Sequence, residues 1–322
     1  MLKIGSYKIP TNVLLAPMAG CTDLAFRLTA REHGAPLCFF EMIDCNSVIY
    51  GSRKKLITML MTTPPDEPIA AQILGRDPDD MLAAAGKILD LVDVPFLDIN
   101  AACPVKKVTK KHSGAYLLRK PNELCAVIKK LALNLPIPVT VKMRTGYEES
   151  SPKEAARLAK MCESSGASAI FVHGRTRSQM YSGGVDYASI KAIKDTVHIP
   201  VLGSGNVFNH LLAEKMLKET SCDGVMVARG ALGNPWIFGQ ITGYLKDGSM
   251  PRAVPIETRK KVLKKHLSYI EIYRDAQSAG RLGFMRKMAL WYLRGFPNAA
   301  GIRHQISLVN SYDKMLKLID SI

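Results

Sequence analysis

Acidic side chains are scarce in this chain. Asp and Glu number 28 against 44 Lys and Arg, which leaves a formal charge of +16 and a pI near 9.5. A field of that sign argues against a basic partner and favours a polyanion. Paired cysteines are also missing. The seven cysteines, at 21, 38, 45, 103, 125, 162 and 222, form no Cys-x-x-Cys and are odd in number, which argues against both a disulfide framework and a zinc knuckle, and no metal is expected. Reduced thiols in a cytoplasm are expected. Long apolar runs are absent as well: residues 1–10 carry no signal-type segment, and nothing later reaches the roughly 18 residues a membrane span needs. A soluble protein without a membrane partner is the expectation.

What is present is an alternation. Between residues 10 and 240, short apolar runs alternate with longer amphipathic stretches, the pattern of repeated βα units building a parallel sheet. Strands are predicted at Val13 to Ala16, Leu37 to Met42, Ile69 to Leu74, Phe96 to Asn100, Val139 to Met143, Ala169 to His173, Val201 to Gly203 and Gly224 to Ala228. Eight strands in about 230 residues fit a (β/α)8 TIM barrel, and residues 1–250 are assigned to it. Helical spacing marks Asp79 to Val92, Pro121 to Leu133, Lys153 to Ser165 and His210 to Glu219. Past Pro251 the alternation stops, and residues 251–322 read as an appended helical domain: Glu257 to Arg274, Arg281 to Arg294, then Asn298 to Ile322. Residues 252–322 hold 14 basic and 5 acidic side chains, a net +9 in 71 residues. Arg286, Lys287 and Arg294 share roughly one face of the middle helix, opposite Leu282, Met285 and Met288, and suit an RNA backbone.

The chemistry gathers at the strand ends. Phe96-Leu-Asp-Ile-Asn-Ala-Ala-Cys-Pro is a strand that runs into a loop carrying a thiol, and Pro104 biases Cys103 away from helical geometry. Barrel enzymes keep their reactive groups at this end. Because side chains alternate along a strand, Asp98 and Asn100 share a face, as do Lys142 and Arg144, and His173 and Arg175. A lumen receiving these groups is too polar to be a packing layer. The seventh and eighth strands end in Ser204-Gly205-Asn206 and Ala228-Arg229, a small-residue and cationic setting for a phosphate. Ala16 to Gly20 offers close-packed backbone for a flat ring, and the Gln72 amide can pair with a pyrimidine-like edge. The inferred ligand is flat, polar-edged and phosphorylated.

These motifs make the chain resemble the tRNA-dihydrouridine synthases, most closely the bacterial B-type branch. The likeness rests on APMAG-C-TDLAFR at Ala16 to Arg27, DINAACPVKKV at Asp98 to Val108, VKMRTG at Val141 to Gly146, VHGRTR at Val172 to Arg177 and ARGALGNPWIF at Ala228 to Phe238. The resemblance implies an FMN enzyme that reduces a tRNA uridine, in the D-loop by its B-type likeness, to 5,6-dihydrouridine with electrons from NADPH. By the same likeness Cys103 is the catalytic acid, and Pro17, Met18, Ala19, Gln72, Lys142, His173, Ser204, Gly205, Asn206, Ala228 and Arg229 contact FMN. Asn100, Arg144 and Arg175 align with positions near the target uracil. RNA backbone contacts are expected from Arg286, Lys287 and Arg294, and from Lys106 and Lys107 beside the thiol loop. A monomer is expected.

The family motif usually has glycine where this chain has Ala102, a strained choice if that position needs positive φ. Two other readings stand beside the synthase. One is an FMN barrel acting on a free pyrimidine base, against which the basic tail argues. The other is a non-catalytic RNA-binding protein, against which stand Cys103, Lys142 and His173.

Overall fold

The computed structural model describes residues 2–274 and 278–322. Eight parallel strands, β1 (Val13–Leu15), β2 (Cys38–Phe39), β3 (Ile69–Leu74), β4 (Leu97–Ala101), β5 (Val139–Gly146), β6 (Ile170–Thr176), β7 (Val201–Ser204) and β8 (Gly224–Val227), pair in chain order, with β8 returning to β1. All these pairings are parallel. The ring closes where the Leu15 N–H donates to the Leu37 carbonyl at 3.4 Å. Helices α1 (Leu24–Glu32), α2 (Pro78–Leu89), α3 (Pro121–Asn134), α4 (Pro152–Ser164), α5 (Tyr187–Thr196), α6 (His210–Thr220) and α7 (Ile237–Asp247) cover the outside. All six residues of β3 are buried, as expected of a strand covered on both faces. Proline at the first turn starts α2, α3 and α4, where its missing N–H costs no hydrogen bond.

The fold is therefore the predicted TIM barrel, with local differences. The Leu37 to Met42 run yields only Cys38–Phe39, and a second short strand, Ile43–Asp44, pairs further along β3. In place of one helix after β2 there are two short ones, Cys45–Ile49 and Arg53–Met59. Strands β5 and β6 run three residues past their predicted ends, which puts Arg144 and Arg175 inside strands.

The lumen is layered by the two-residue period. Its lower layer is apolar: Leu14, Phe39, Ala70, Phe96, Phe171, Leu202 and Met226 pack together, with Phe39 edge-on to Phe96 and Phe171 at 5.8 and 5.9 Å. An N-terminal hairpin, Leu2–Ile4 with Tyr7–Ile9, adds Leu2, Ile4 and Ile9 to this layer. Two residues further along the same faces stand Gln72, Asp98, His173, Ser204 and Ala228. The core thus stops where the polar groups begin, and leaves the C-terminal mouth for chemistry.

Four helices follow the barrel: α8 (Ile256–Tyr273), α9 (Ser278–Tyr292), α10 (Ala299–Leu308) and α11 (Tyr312–Asp320). The single helix predicted over Asn298 to Ile322 is two, because Ser311 caps a new one by accepting from the Lys314 N–H at 3.3 Å. The buried stripe Leu263, Leu267 and Ile270 joins the apolar core shared with the barrel helices. His266 packs edge-on to Phe26 of α1 and to Tyr292, and its Nδ1 meets the Tyr292 hydroxyl at 3.1 Å. Two polar contacts reach the β1–α1 loop: Arg274 pairs with Asp23 at 3.0 Å, and Lys287 Nζ donates to the Gly20 carbonyl. Among the described residues no helix is long and apolar enough to cross a membrane.

Candidate active site

A cavity of about 390 Å³ opens at the C-terminal mouth of the barrel, within the usual size range of small-molecule sites. Residues from the ends of all eight strands line it, including Pro17, Met18, Ala19, Gln72, Asn100, Cys103, Lys142, Arg144, His173, Ser204, Gly205, Asn206, Ala228 and Arg229. These are the catalytic, cofactor and substrate residues singled out in the sequence, with one exception, while Asp98, also expected in the lumen, is fully buried and does not line the cavity.

The exception is Arg175. It is buried and does not line the cavity: Nε donates to the Ser182 carbonyl at 2.9 Å, and Nη2 to the Gly183 carbonyl at 2.7 Å and to Asn206 Oδ1 at 3.0 Å. Its guanidinium is consumed in pinning the loop after β6, and it reaches the cavity only through Asn206 and His173.

The thiol loop is held at each peptide. Asn100 Oδ1 accepts the Ala102 and Cys103 N–H groups at 3.0 and 2.9 Å. Arg144 Nε donates to the Ala102 carbonyl at 2.8 Å, and the Ala115 N–H donates to that of Cys103 at 3.0 Å. Ala102 does not adopt positive φ, so the expected strain at that position is absent. Instead Gly114, at φ +63, packs against Cys103: a methyl group there would lie 2.9 Å from the Cys103 carbonyl. Burial pushes the Cys103 thiol above the ordinary thiol range, against the opposing pull of the Val105 N–H and of Arg144 and Lys142. At neutral pH it carries its proton.

Two cations face the cavity without a hydrogen-bond partner among the described residues, Lys142 and Arg229. Burial and the neighbouring Arg144 push the Lys142 ammonium down to about 8, with Asp98 opposing them. Arg229 lies over the rings of Tyr181 and Phe208, at 4.9 and 5.6 Å from their centroids. His173 is neutral, because burial and the surrounding Lys142, Arg144, Arg175 and Arg229 all oppose its charged form. Beside these groups the loop after β7 turns through Gly205 at φ +122 and Asn206 at φ +54; the first requires glycine, and the second suits asparagine. An anion-seeking wall thus lines the same cavity as the apolar Pro17, Met18 and Ala19. This donor set fits a flat, phosphorylated ligand such as FMN.

Residues 14–321 match the dihydrouridine synthase family. The chain belongs to that family. It is 37% identical to a protein of Rickettsia bellii named as a probable tRNA-dihydrouridine synthase, over 100% of this chain and 99% of the relative. It is 34% identical to tRNA-dihydrouridine synthase B of Pseudomonas aeruginosa, over 97% of this chain and 93% of that one. Among solved structures, an old yellow enzyme homologue from Zymomonas mobilis shares the barrel fold at a TM-score of 0.56 and 14% identity, covering 80% of this chain and 94% of that chain.

Sequence reading of this dihydrouridine synthase family member did not pick out Tyr181, Phe208, Met42 or Cys21, which also line the cavity. Tyr181 and Phe208 are half exposed, and an aromatic set among Ser, Gly and Asn just past a strand end was the available signal. Nor does the basic face of α9 stand free as drawn. Arg286 is half-buried with Nε on the Val309 carbonyl at 2.8 Å, and Lys287 is half-buried on Gly20. Arg294, Lys106 and Lys107 are exposed.

Proposed function

We propose that this chain is an FMN-dependent tRNA-dihydrouridine synthase that reduces a D-loop uridine, with NADPH as the electron donor. The observation that carries this reading is that the Cys103 thiol, which burial favours in its protonated form, faces the same cavity as the Lys142 ammonium, which has no hydrogen-bond partner among the described residues. Ser204, Gly205, Asn206, Ala228 and Arg229 would hold the FMN phosphate, Pro17, Met18 and Ala19 would pack on its ring, and Gln72, Lys142 and His173 would meet its polar edge. When bound, FMN supplies the hydride that uracil takes at C6.

The protein's own contribution is the proton. Reduction at C6 leaves an enolate over C5 and O4, and Cys103 gives its thiol proton to C5. The thiolate that results lies in the field of Arg144 and Lys142, the same cations that favour its charged form. Those charges are fixed in place and need no rearrangement. Asn100 is committed to the Ala102 and Cys103 N–H groups, so its part is to shape the acid's loop. Residues 251–322 would form a domain that helps hold RNA, with Arg294 and the exposed Lys106 and Lys107 meeting phosphates near the mouth. Turning the uridine out of folded RNA is required for it to enter the cavity.

The test has two parts. Flavin released by heating should be FMN at about one per chain, and tRNA from cells lacking the gene should lose a D-loop dihydrouridine. A tRNA pool unchanged by removal of the gene would contradict the reading.

A further inference from the structure

Gln72, Asp98 and Thr140 are register partners on three adjacent strands, one transverse row pointing into the lumen. Asp98 is fully buried and does not line the cavity. Its Oδ1 accepts from the Thr140 hydroxyl at 2.7 Å and its Oδ2 from Gln72 Nε2 at 2.7 Å. Gln72 Oε1 in turn accepts from Asn100 Nδ2 at 2.8 Å, and Asn100 Oδ1 accepts the Ala102 and Cys103 N–H groups. This is an unbroken chain from a carboxylate to the backbone of the thiol.

The direction of that chain has a physical cause. A carboxylamide can face a neighbour with either its oxygen or its NH2, and two in series have no preferred sense unless an end fixes it. One end here is a pair of backbone N–H donors, which demand the oxygen of Asn100. The other is a carboxylate, which demands the NH2 of Gln72. If Gln72 turned over, its NH2 would draw Asn100 Oδ1 away and leave donor facing donor at Cys103, at the cost of unpaired buried groups.

We propose that Asp98 is a positioning residue for Cys103: by fixing the sense of the Gln72 and Asn100 amides it holds the N–H groups of the thiol loop, two side chains away. The inference rests on the reading of Cys103 as the acid. It separates orientation from charge. In Asp98→Asn the new oxygen can still accept from Gln72 while the new NH2 turns to the Thr140 hydroxyl, which can accept, so the sense survives. In Asp98→Leu nothing accepts from Gln72. Neither variant can carry the charge that Asp98, its carboxyl pushed up to about 7 by burial, holds above that pH.

The decisive measurement is peptide-resolved alkylation of Cys103 by iodoacetamide, in flavin-free and RNA-free protein at one pH, with Cys21 as an internal reference. Cys103 in Asp98→Leu should react at least about threefold faster than in Asp98→Asn, with Cys21 alike in both. In single-turnover assays tRNA reduction should fall about tenfold in Asp98→Leu relative to Asp98→Asn. Equal Cys103 rates in the two folded variants would overturn the proposal. Should Asp98→Leu fail to fold, Gln72→Leu cuts the middle link, and an unchanged Cys103 rate in it relative to wild type would overturn the proposal equally. If wild type makes no dihydrouridine, the functional reading fails, and the alkylation arm still decides the role of Asp98.

Discussion

Arg144 and Ala102 are joined across the mouth of the barrel by a 2.8 Å hydrogen bond from Nε to the carbonyl one residue before the thiol. The same guanidinium spends Nη1 on the Thr176 and Met180 carbonyls, each at 2.8 Å. One planar fork therefore ties the β4 loop to the β6 loop. A lysine cannot reproduce this, because a single ammonium lacks the spread of the fork. Arg144→Lys is expected to slow single-turnover tRNA reduction by about tenfold or more and to lower the thermal midpoint. Wild-type rates in that variant would remove Arg144 from the account of the loop.

If Lys142 meets the flavin as proposed, flavin affinity should depend on pH. Its pKa is lowered to about 8, so the ammonium is present below that pH and is lost as pH rises through it. FMN affinity, followed by fluorescence quenching from pH 7 to 10, should fall across this window. Lys142→Arg keeps its charge throughout and should flatten the fall. A flat profile in wild type would show that Lys142 does not meet the ligand's anionic side.

For RNA, the exposed lysines and the half-buried basic residues of α9 are expected to behave differently. Reversing Lys106 and Lys107 to Glu should weaken tRNA binding and flatten the log-log salt slope by roughly 0.7 to 0.9 per lost phosphate contact, with no change in thermal midpoint. Reversing Arg286 and Lys287 should lower the thermal midpoint, since each holds a carbonyl within the chain. Lys287 also touches Gly20, in the loop that carries Pro17 to Ala19, so flavin content should fall with it. An α9 reversal that left midpoint and flavin content intact but shallowed the salt slope would return phosphate binding to that face.

How much of this was legible follows from what periodicity encodes. Alternation along a strand fixes which side chains face the lumen, so Gln72, Lys142, His173 and Cys103 could be gathered into one site. It does not say what covers a side chain. Arg175 has the right parity, yet the Ser182–Gly183 turn, seven residues on, takes its guanidinium. A helical wheel likewise gives Arg286 a polar face without showing that the end of a neighbouring helix presents the Val309 carbonyl there. The apolar spacing of Asn298 to Ile322 runs through Ser311, and only the cap reveals the break. The link from Asp98 to Cys103 depends on strand register, which the strand pattern alone leaves open.

The central claim is that Cys103 donates the proton and takes no part in loading the flavin with electrons. The most direct measurement is single-turnover kinetics of Cys103→Ala reconstituted with FMN, with the NADPH step and the tRNA step recorded separately. The NADPH step should stay within about threefold of wild type, while dihydrouridine formation in tRNA falls by about a hundredfold or more, the usual scale of a lost general acid. Dihydrouridine formed by Cys103→Ala at the wild-type rate would contradict the account and make the thiol structural.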